Sequence, residues 1–134
     1  MNARTIIGGI IAAIVAFLLG WLIFGTLMMN FYKAHSTQYI GLLKDPFMIW
    51  PIAVANLCFG LLLSYIFNMG NISGVSKGFI TGFIVYLLME AGFDSFDYAF
   101  MNLHQSKLLA IDVVLNGVLG GLTGAVLGWW FGRK

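Results

Sequence analysis

Charged residues are scarce in this chain. Only 9% of its 134 residues are Asp, Glu, Lys or Arg, whereas 60% are hydrophobic. Soluble domains carry about 25% charged and about 45–50% apolar residues, so the composition excludes an ordinary soluble domain. The formal charge is only +2 and is spread along the chain, which excludes a basic surface for nucleic acid.

Cysteine and catalytic motifs are also nearly missing from the sequence. A single cysteine, Cys58, excludes an internal disulfide. The sequence contains no P-loop, no G-x-G-x-x-G after a strand and no nucleophile elbow. We therefore predict a protein that is not an enzyme and uses no cofactor.

Four long apolar stretches account for the shortage of charge. Each one reaches or exceeds the roughly 20 residues that an α-helix needs to cross about 30 Å of hydrocarbon. They predict an all-α fold, a single membrane domain over residues 1–134 that forms a bundle of four transmembrane helices in the lipid bilayer. The predicted spans are about 6–31, 47–67, 78–100 and 108–131.

Basic residues predict the orientation of these spans, because segments rich in Lys and Arg stay in the cytoplasm. Four basic residues flank one side of the bundle and three flank the other, and the first side has no acidic residue. We therefore predict that both termini are cytoplasmic and that Tyr32, Tyr39 and Trp50 mark the outer interface. The four basic residues are Arg4, Lys77, Arg133 and Lys134, and the three are Lys33, Lys44 and Lys107.

Glycine recurs at a spacing of four residues near the third span and within the fourth. Small residues at this spacing let two helix backbones touch, which is how helices associate where lipid offers no hydrophobic gradient. Since these two spans are antiparallel, both stripes fall in the cytoplasmic half, and they meet either within one chain or between subunits. The predicted helix-packing residues are Gly74, Gly78, Gly82, Gly120, Gly124 and Gly128.

The two halves of the chain share short patterns. F-x-x-x-H occurs at 31–35 and 100–104, and V-x-N-x-x-x-G occurs at 54–60 and 114–120. Odd-numbered spans run in the same direction, so a duplication would produce two helical hairpins related by an axis along the membrane normal. The alternative is coincidence in so biased a composition.

Carboxylates inside the predicted spans are the clearest sign of function. Glu90, Asp94 and Asp97 are four and three residues apart, which places them on one helix face. The helical rise of 1.5 Å per residue brings Glu90 and Asp112 to similar depths in the outer half of the bundle. A charged Asp near the middle of a membrane helix costs about 2.5–3.5 kcal/mol, so such residues face the interior and usually have partners.

Two kinds of interpretation of these carboxylates remain open. In one, their role is structural: either a protonated Glu90 only hydrogen-bonds an Asn across the bundle, or the third span ends early, near Ala91, and Asp94 and Asp97 lie on a solvated helix end. His35 and His104 fall on the same side, but they lack the spacing of H-E-x-x-H, so no metal site is predicted. In the other, a proton- or cation-responsive site is formed by Glu90, Asp94 and Asp112, with neutral partners Asn56 and Asn116.

The segments FLLGWLIFGTLMMNFYKAHS (17–36) and PIAVANLCFGLLLSYIF (51–67), followed by an acidic third span, resemble a family of small bacterial membrane proteins of unknown function. The G-W-L-I-x-G run and the N-x-x-x-G of the second span carry the resemblance. It implies four spans in a bacterial inner membrane and implies no activity.

Two functions are compatible with these features. The first is a non-enzymatic accessory or structural subunit, either in a homo-oligomer or docked on a larger membrane complex. The second is a small proton- or cation-coupled transporter or channel that uses the intramembrane carboxylates. Four helices enclose little space, so both interpretations predict partner subunits.

Overall fold

Four long apolar helices form the protein in a computed structural model, which describes residues 1–133. The predicted all-α membrane bundle is thereby confirmed, while Lys134, used above for orientation, lies outside the described residues. A short additional helix, α2, follows the first span. The helices are α1 (Ala3–Leu22), α2 (Met29–His35), α3 (Ile49–Met69), α4 (Val75–Phe100) and α5 (Ser106–Gly132).

The first span differs from its prediction as an unbroken helix over 6–31. After α1 the chain widens into a π-helical turn, Ile23–Leu27, where the Met28 N–H donates to the Ile23 carbonyl at 2.9 Å. The Thr26 hydroxyl donates to the Trp21 carbonyl, five residues back, at 3.2 Å. A π turn accommodates one extra residue, so it changes the faces that the following helix presents. Apolar residues continue across the turn, which is why composition alone does not predict it.

Small residues bring α1 and α3 into backbone contact. A Cβ added to Gly60 would lie 2.7 Å from the Ala13 nitrogen, and one added to Gly9 would lie 3.0 Å from the Leu61 Cα. Beside this contact the Ser64 hydroxyl donates to the carbonyl of Thr5 at 2.6 Å. Such close approach is possible only where side chains are small, so these two helices form a tight antiparallel hairpin.

The helices α4 and α5 form the second antiparallel hairpin, with the largest interface among the described helices. A Cβ added to Gly82 would overlap the carbonyl oxygen of Gly120 and would lie 2.9 Å from the Gly124 Cα. Gly74 precedes α4 as its N-cap residue, at φ +94°, and its N–H donates to the Gly128 carbonyl at 2.9 Å. In this structure the two glycine stripes face each other within one chain.

The two hairpins pack together mainly in the half of the bundle that contains the chain termini. Ala12, Leu63, Phe67 and Leu127 are fully buried there. In the opposite half, α3 and α4 barely touch, and space remains between the hairpins. We call this second half, which carries the loops 36–48 and 101–105, the distal half.

Both termini lie at the same end of the bundle, because the Arg4 guanidinium donates to the Phe131 carbonyl at 3.1 Å. We expect single cysteines at Ser76 and Ser106, in a Cys58→Ser background, to label from opposite sides of the membrane, since these exposed residues begin α4 and α5 at opposite ends. The measurement is labelling of intact and permeabilised cells with an impermeant maleimide. A cysteine at Ser73 should label like the one at Ser76. Labelling of Ser76 and Ser106 from one side would contradict the four-span topology.

Candidate functional site

Three carboxyl groups meet where α4 and α5 face each other in the distal half. One oxygen each of Glu90, Asp94 and Asp112 lies within 4.8 Å of the other two. Glu90 and Asp94 are neighbours on α4 because they are one helical turn apart, and Asp112 approaches them from α5. About 15 Å of helix separates Glu90 from the end of α4 at Phe100. We call Glu90, Asp94 and Asp112 the carboxylate cluster.

Asp94 is the most buried member of the carboxylate cluster. It is only 7% exposed, and its Oδ2 atom has no hydrogen-bond partner among the residues that the structure describes. A buried carboxylate oxygen without a partner is costly, and in native proteins such an atom usually faces a proton, a water molecule or an ion. Of the two positions considered from the sequence, Asp94 therefore occupies the bundle interior and not a solvated helix end.

Tyr32 completes one side of the cluster. Its hydroxyl, carried by α2, donates a hydrogen bond to a carboxylate oxygen of Asp112. Burial, reinforced by this bond, raises the pKa of the Tyr32 hydroxyl far above its usual range, so the phenol stays a protonated donor. The sequence indicated only an interfacial aromatic residue here. The contact depends on the direction that the π turn gives to α2, and no sequence motif predicts that direction.

The two histidines lie near the distal end of the bundle but make local contacts. Ser36 and His104 form an isolated β-bridge, with the Ser36 hydroxyl 3.2 Å from His104 Nδ1. His35 Nδ1 lies 2.9 Å from the Phe31 carbonyl oxygen of its own helix. Within residues 1–133, no histidine joins the carboxylate cluster as a further metal ligand.

The predicted amide partners lie beside the cluster and not within it. The Asn116 amide donates to the main-chain carbonyl of Asp112 at 3.2 Å, and the Asn56 amide donates to the Ile52 carbonyl at 2.8 Å. Each side chain thus bonds back to its own helix, a common arrangement for Asn within a helix. Asp97, half-buried and three residues beyond Asp94, is also outside the cluster.

A cavity of about 690 Å³ lies between the two hairpins. All four long helices line it, mostly with aromatic and aliphatic side chains, and Asn56 on α3 and Asn116 on α5 are also among the lining residues. Among the described residues that line it, Glu90 is the one acidic group and none is Lys, Arg or His. Because Glu90 also belongs to the carboxylate cluster, the cavity and the cluster are adjacent. The volume falls within the range of about 300–1,000 Å³ that ligand sites occupy.

Comparisons of the chain with protein-family models, with curated proteins and with solved structures find no match. The resemblance to small bacterial inner-membrane proteins stays a prediction. Function must therefore be inferred from the cluster and the cavity.

Proposed function

We propose that this protein is a non-enzymatic membrane transporter that binds a proton or a divalent cation at the carboxylate cluster. The observation that carries the proposal is the convergence of three carboxyl oxygens within 4.8 Å around the unpartnered Asp94 Oδ2. Like charges repel at this separation, and more strongly inside a bilayer than in water. Bound protons or a cation would relieve the repulsion and would supply the missing partner of Asp94.

The chemistry of the ligands limits which cation the cluster would take. Carboxylate oxygens are hard ligands, which suit Mg²⁺, Ca²⁺ or Mn²⁺, and they are also the groups that share protons when they lie close together. The Tyr32 hydroxyl would hold Asp112 in place for either ion. Three further titratable groups influence the charge of the cluster. Tyr32 and His104 do so from neighbouring elements, and Asp97 does so from α4 itself.

The proposed location is a bacterial inner membrane, with both termini in the cytoplasm. Arg4, Lys77 and Arg133 lie at the end of the bundle that carries the termini. Together with Lys134, which follows Arg133 in the sequence, they outnumber the three lysines assigned to the other side, which supports this orientation. The packed core then closes the cytoplasmic half, and the carboxylate cluster lies in the outer half, where ions can reach it from outside.

Liposomes that contain the purified protein are expected to take up protons, measured with trapped pyranine, or Mn²⁺, measured by quenching of trapped calcein. Asp94→Asn should slow this uptake by about tenfold or more, because the variant keeps the shape of the side chain and loses its charge. Asp45→Asn is the matched control, since Asp45 is an exposed carboxylate in the loop 36–48 and lies outside the cluster, and it should keep the parent rate. Uptake that is absent from the parent, or equally fast in Asp94→Asn, would contradict the proposal.

A second candidate function is the accessory or structural subunit, in a homo-oligomer or a larger membrane complex. One observation favours it: α3 and α4 make few contacts with each other, and both expose large apolar side chains on which a partner helix could pack. Mass determination of the complex after purification in mild detergent separates the two functions. Stable co-purification of a different polypeptide supports the subunit, whereas a pure chain that takes up ions supports the transporter.

A further inference from the structure

We propose that the cavity between the hairpins binds an apolar organic cation, such as a lipophilic ammonium or phosphonium compound, with Glu90 as its counter-ion. The proposal rests on the proposed function in one respect, because Glu90 belongs both to the carboxylate cluster and to the cavity wall. It goes further in naming a second ligand, distinct from the proton or metal ion, by its chemical class.

Aromatic side chains form a large part of the cavity wall. They come from both hairpins and include Phe17 and Trp21 on α1, Phe24 in the π turn, and Tyr86 and Phe93 on α4. The face of an aromatic ring carries partial negative charge and attracts cations within about 6 Å, and quaternary ammonium groups are typically recognised by several such rings. A cavity of about 690 Å³ with these walls accommodates a bulky apolar cation better than a hydrated inorganic ion.

The charges on the cavity wall point to the same class of ligand. Glu90 supplies an acidic group, and among the lining residues that the structure describes no basic side chain balances it. An anion would find no basic partner here, and a neutral apolar molecule would offer Glu90 no opposite charge. The amides of Asn56 and Asn116 each use one N–H on their own helix, which leaves their oxygens as acceptors that a cation also favours.

The position of the cavity suits a ligand that is dissolved in the bilayer. It lies where α3 and α4 make few contacts, and Trp21 on its wall is 67% exposed. A lipophilic cation can therefore enter from the side and reach Glu90 without crossing the packed core. Because Glu90 belongs to both the cavity wall and the cluster, the organic cation and the ion of the cluster would compete for this carboxyl group.

The experiment measures tetraphenylphosphonium binding to the detergent-solubilised protein by equilibrium dialysis. We expect saturable binding of about one molecule per chain, and no saturable binding of tetraphenylborate, which has the same shape and the opposite charge. Trp21→Leu and Glu90→Gln should each weaken the binding by about tenfold or more. Trp50→Leu is the matched control, because Trp50 is similarly exposed, at 65%, and does not line the cavity. It should bind like the parent.

The outcomes distinguish this proposal from the proposed function. If the parent protein transports protons or Mn²⁺ but binds no tetraphenylphosphonium, the cavity assignment is wrong and the cluster keeps its role. Equal binding of both probes would show a cavity for any apolar molecule, including a lipid chain, and would also overturn the assignment. Saturable, cation-selective binding without ion uptake would leave the cavity ligand standing and would contradict the coupled transport. Undiminished binding in a folded Trp21→Leu variant would show that the probe binds elsewhere, which would also overturn the assignment.

Discussion

Replacing Gly124 with Leu is expected to separate α4 from α5 and to prevent native packing of the second hairpin. A Cβ at this position would overlap the carbonyl oxygen of Gly78 and would lie 2.9 Å from the Gly82 Cα. Overpacking costs about 1–3 kcal/mol where side chains can shift aside. Here the obstacle is main chain, so we expect a loss of at least about 3 kcal/mol, measured as unfolding of the purified protein in detergent followed by circular dichroism.

Gly92→Leu is the matched control for this substitution. Gly92 is also a helical glycine of the second hairpin, but a Cβ added there would meet no atom within 4 Å. Its replacement should change the free energy of unfolding by about 0.5 kcal/mol or less. If Gly124→Leu unfolds at the same point as Gly92→Leu, the close contact between α4 and α5 does not exist in the folded protein.

The fold was predictable from the sequence because membrane spans are a matter of length and polarity, and both are visible in a single chain. The contact between α1 and α3 was not predicted. Its small residues are a mixture of Gly, Ala and Ser, including Gly9, Ala13 and Gly60. Because they form no regular glycine stripe, the sequence does not indicate the contact. The α4–α5 stripes were visible because one residue type repeats at a constant spacing.

The carboxylate cluster was only partly predictable. Helical periodicity places Glu90 and Asp94 on one face, and helical rise places Asp112 at a similar depth, so their convergence follows from simple geometry. The role of Tyr32 could not be predicted from this geometry. The π turn before α2 shifts the helical register, and the pattern of apolar residues does not indicate that turn. Likewise, polarity alone does not show that Asn56 bonds back to its own helix.

Several residues that line the cavity occupy corresponding positions in the two halves of the weak sequence repeat. Asn56 and Asn116, sixty residues apart, both line the cavity and both donate to the carbonyl four residues earlier. On the preceding helices, Phe24 and Phe93 line it with a separation of sixty-nine residues, the same separation as between the two F-x-x-x-H patterns. The duplication stays a prediction, but these pairs are what two related hairpins around a shared cavity would produce.

The two halves differ where the function is proposed. Glu90 lies sixty-nine residues after Trp21, and both line the cavity. One hairpin thus contributes an aromatic ring at the position where the other contributes a carboxyl group. A cavity with aromatic walls and one acidic group has the combination that an organic cation requires, and it places that ligand next to the carboxylate cluster.

Substitution of Glu90 is expected to have the largest functional effect, because this side chain belongs to both the cluster and the cavity. Glu90→Gln keeps the shape and hydrogen-bonding capacity of the side chain and removes its ionisation. The variant should fold like the parent and lose uptake of protons or Mn²⁺ in liposomes. If Mn²⁺ is the ion, it should raise the melting temperature of the parent, since a ligand stabilises the state that binds it, and not that of the variant.

Glu90→Leu tests whether the cluster is held together by a shared proton or cation. In that case Glu90 is a partner of Asp112 and Asp94, and its loss should destabilise the protein by about 1–3 kcal/mol by leaving buried carboxyl groups with fewer partners. Asp97→Leu, outside the cluster, should have a smaller effect. If Glu90→Leu is instead more stable than the parent even with Mn²⁺ present and at acidic pH, the three carboxyl groups gain nothing from a bound cation or proton. The cluster would then bind no ion, and the transporter proposal would fail at its central residue.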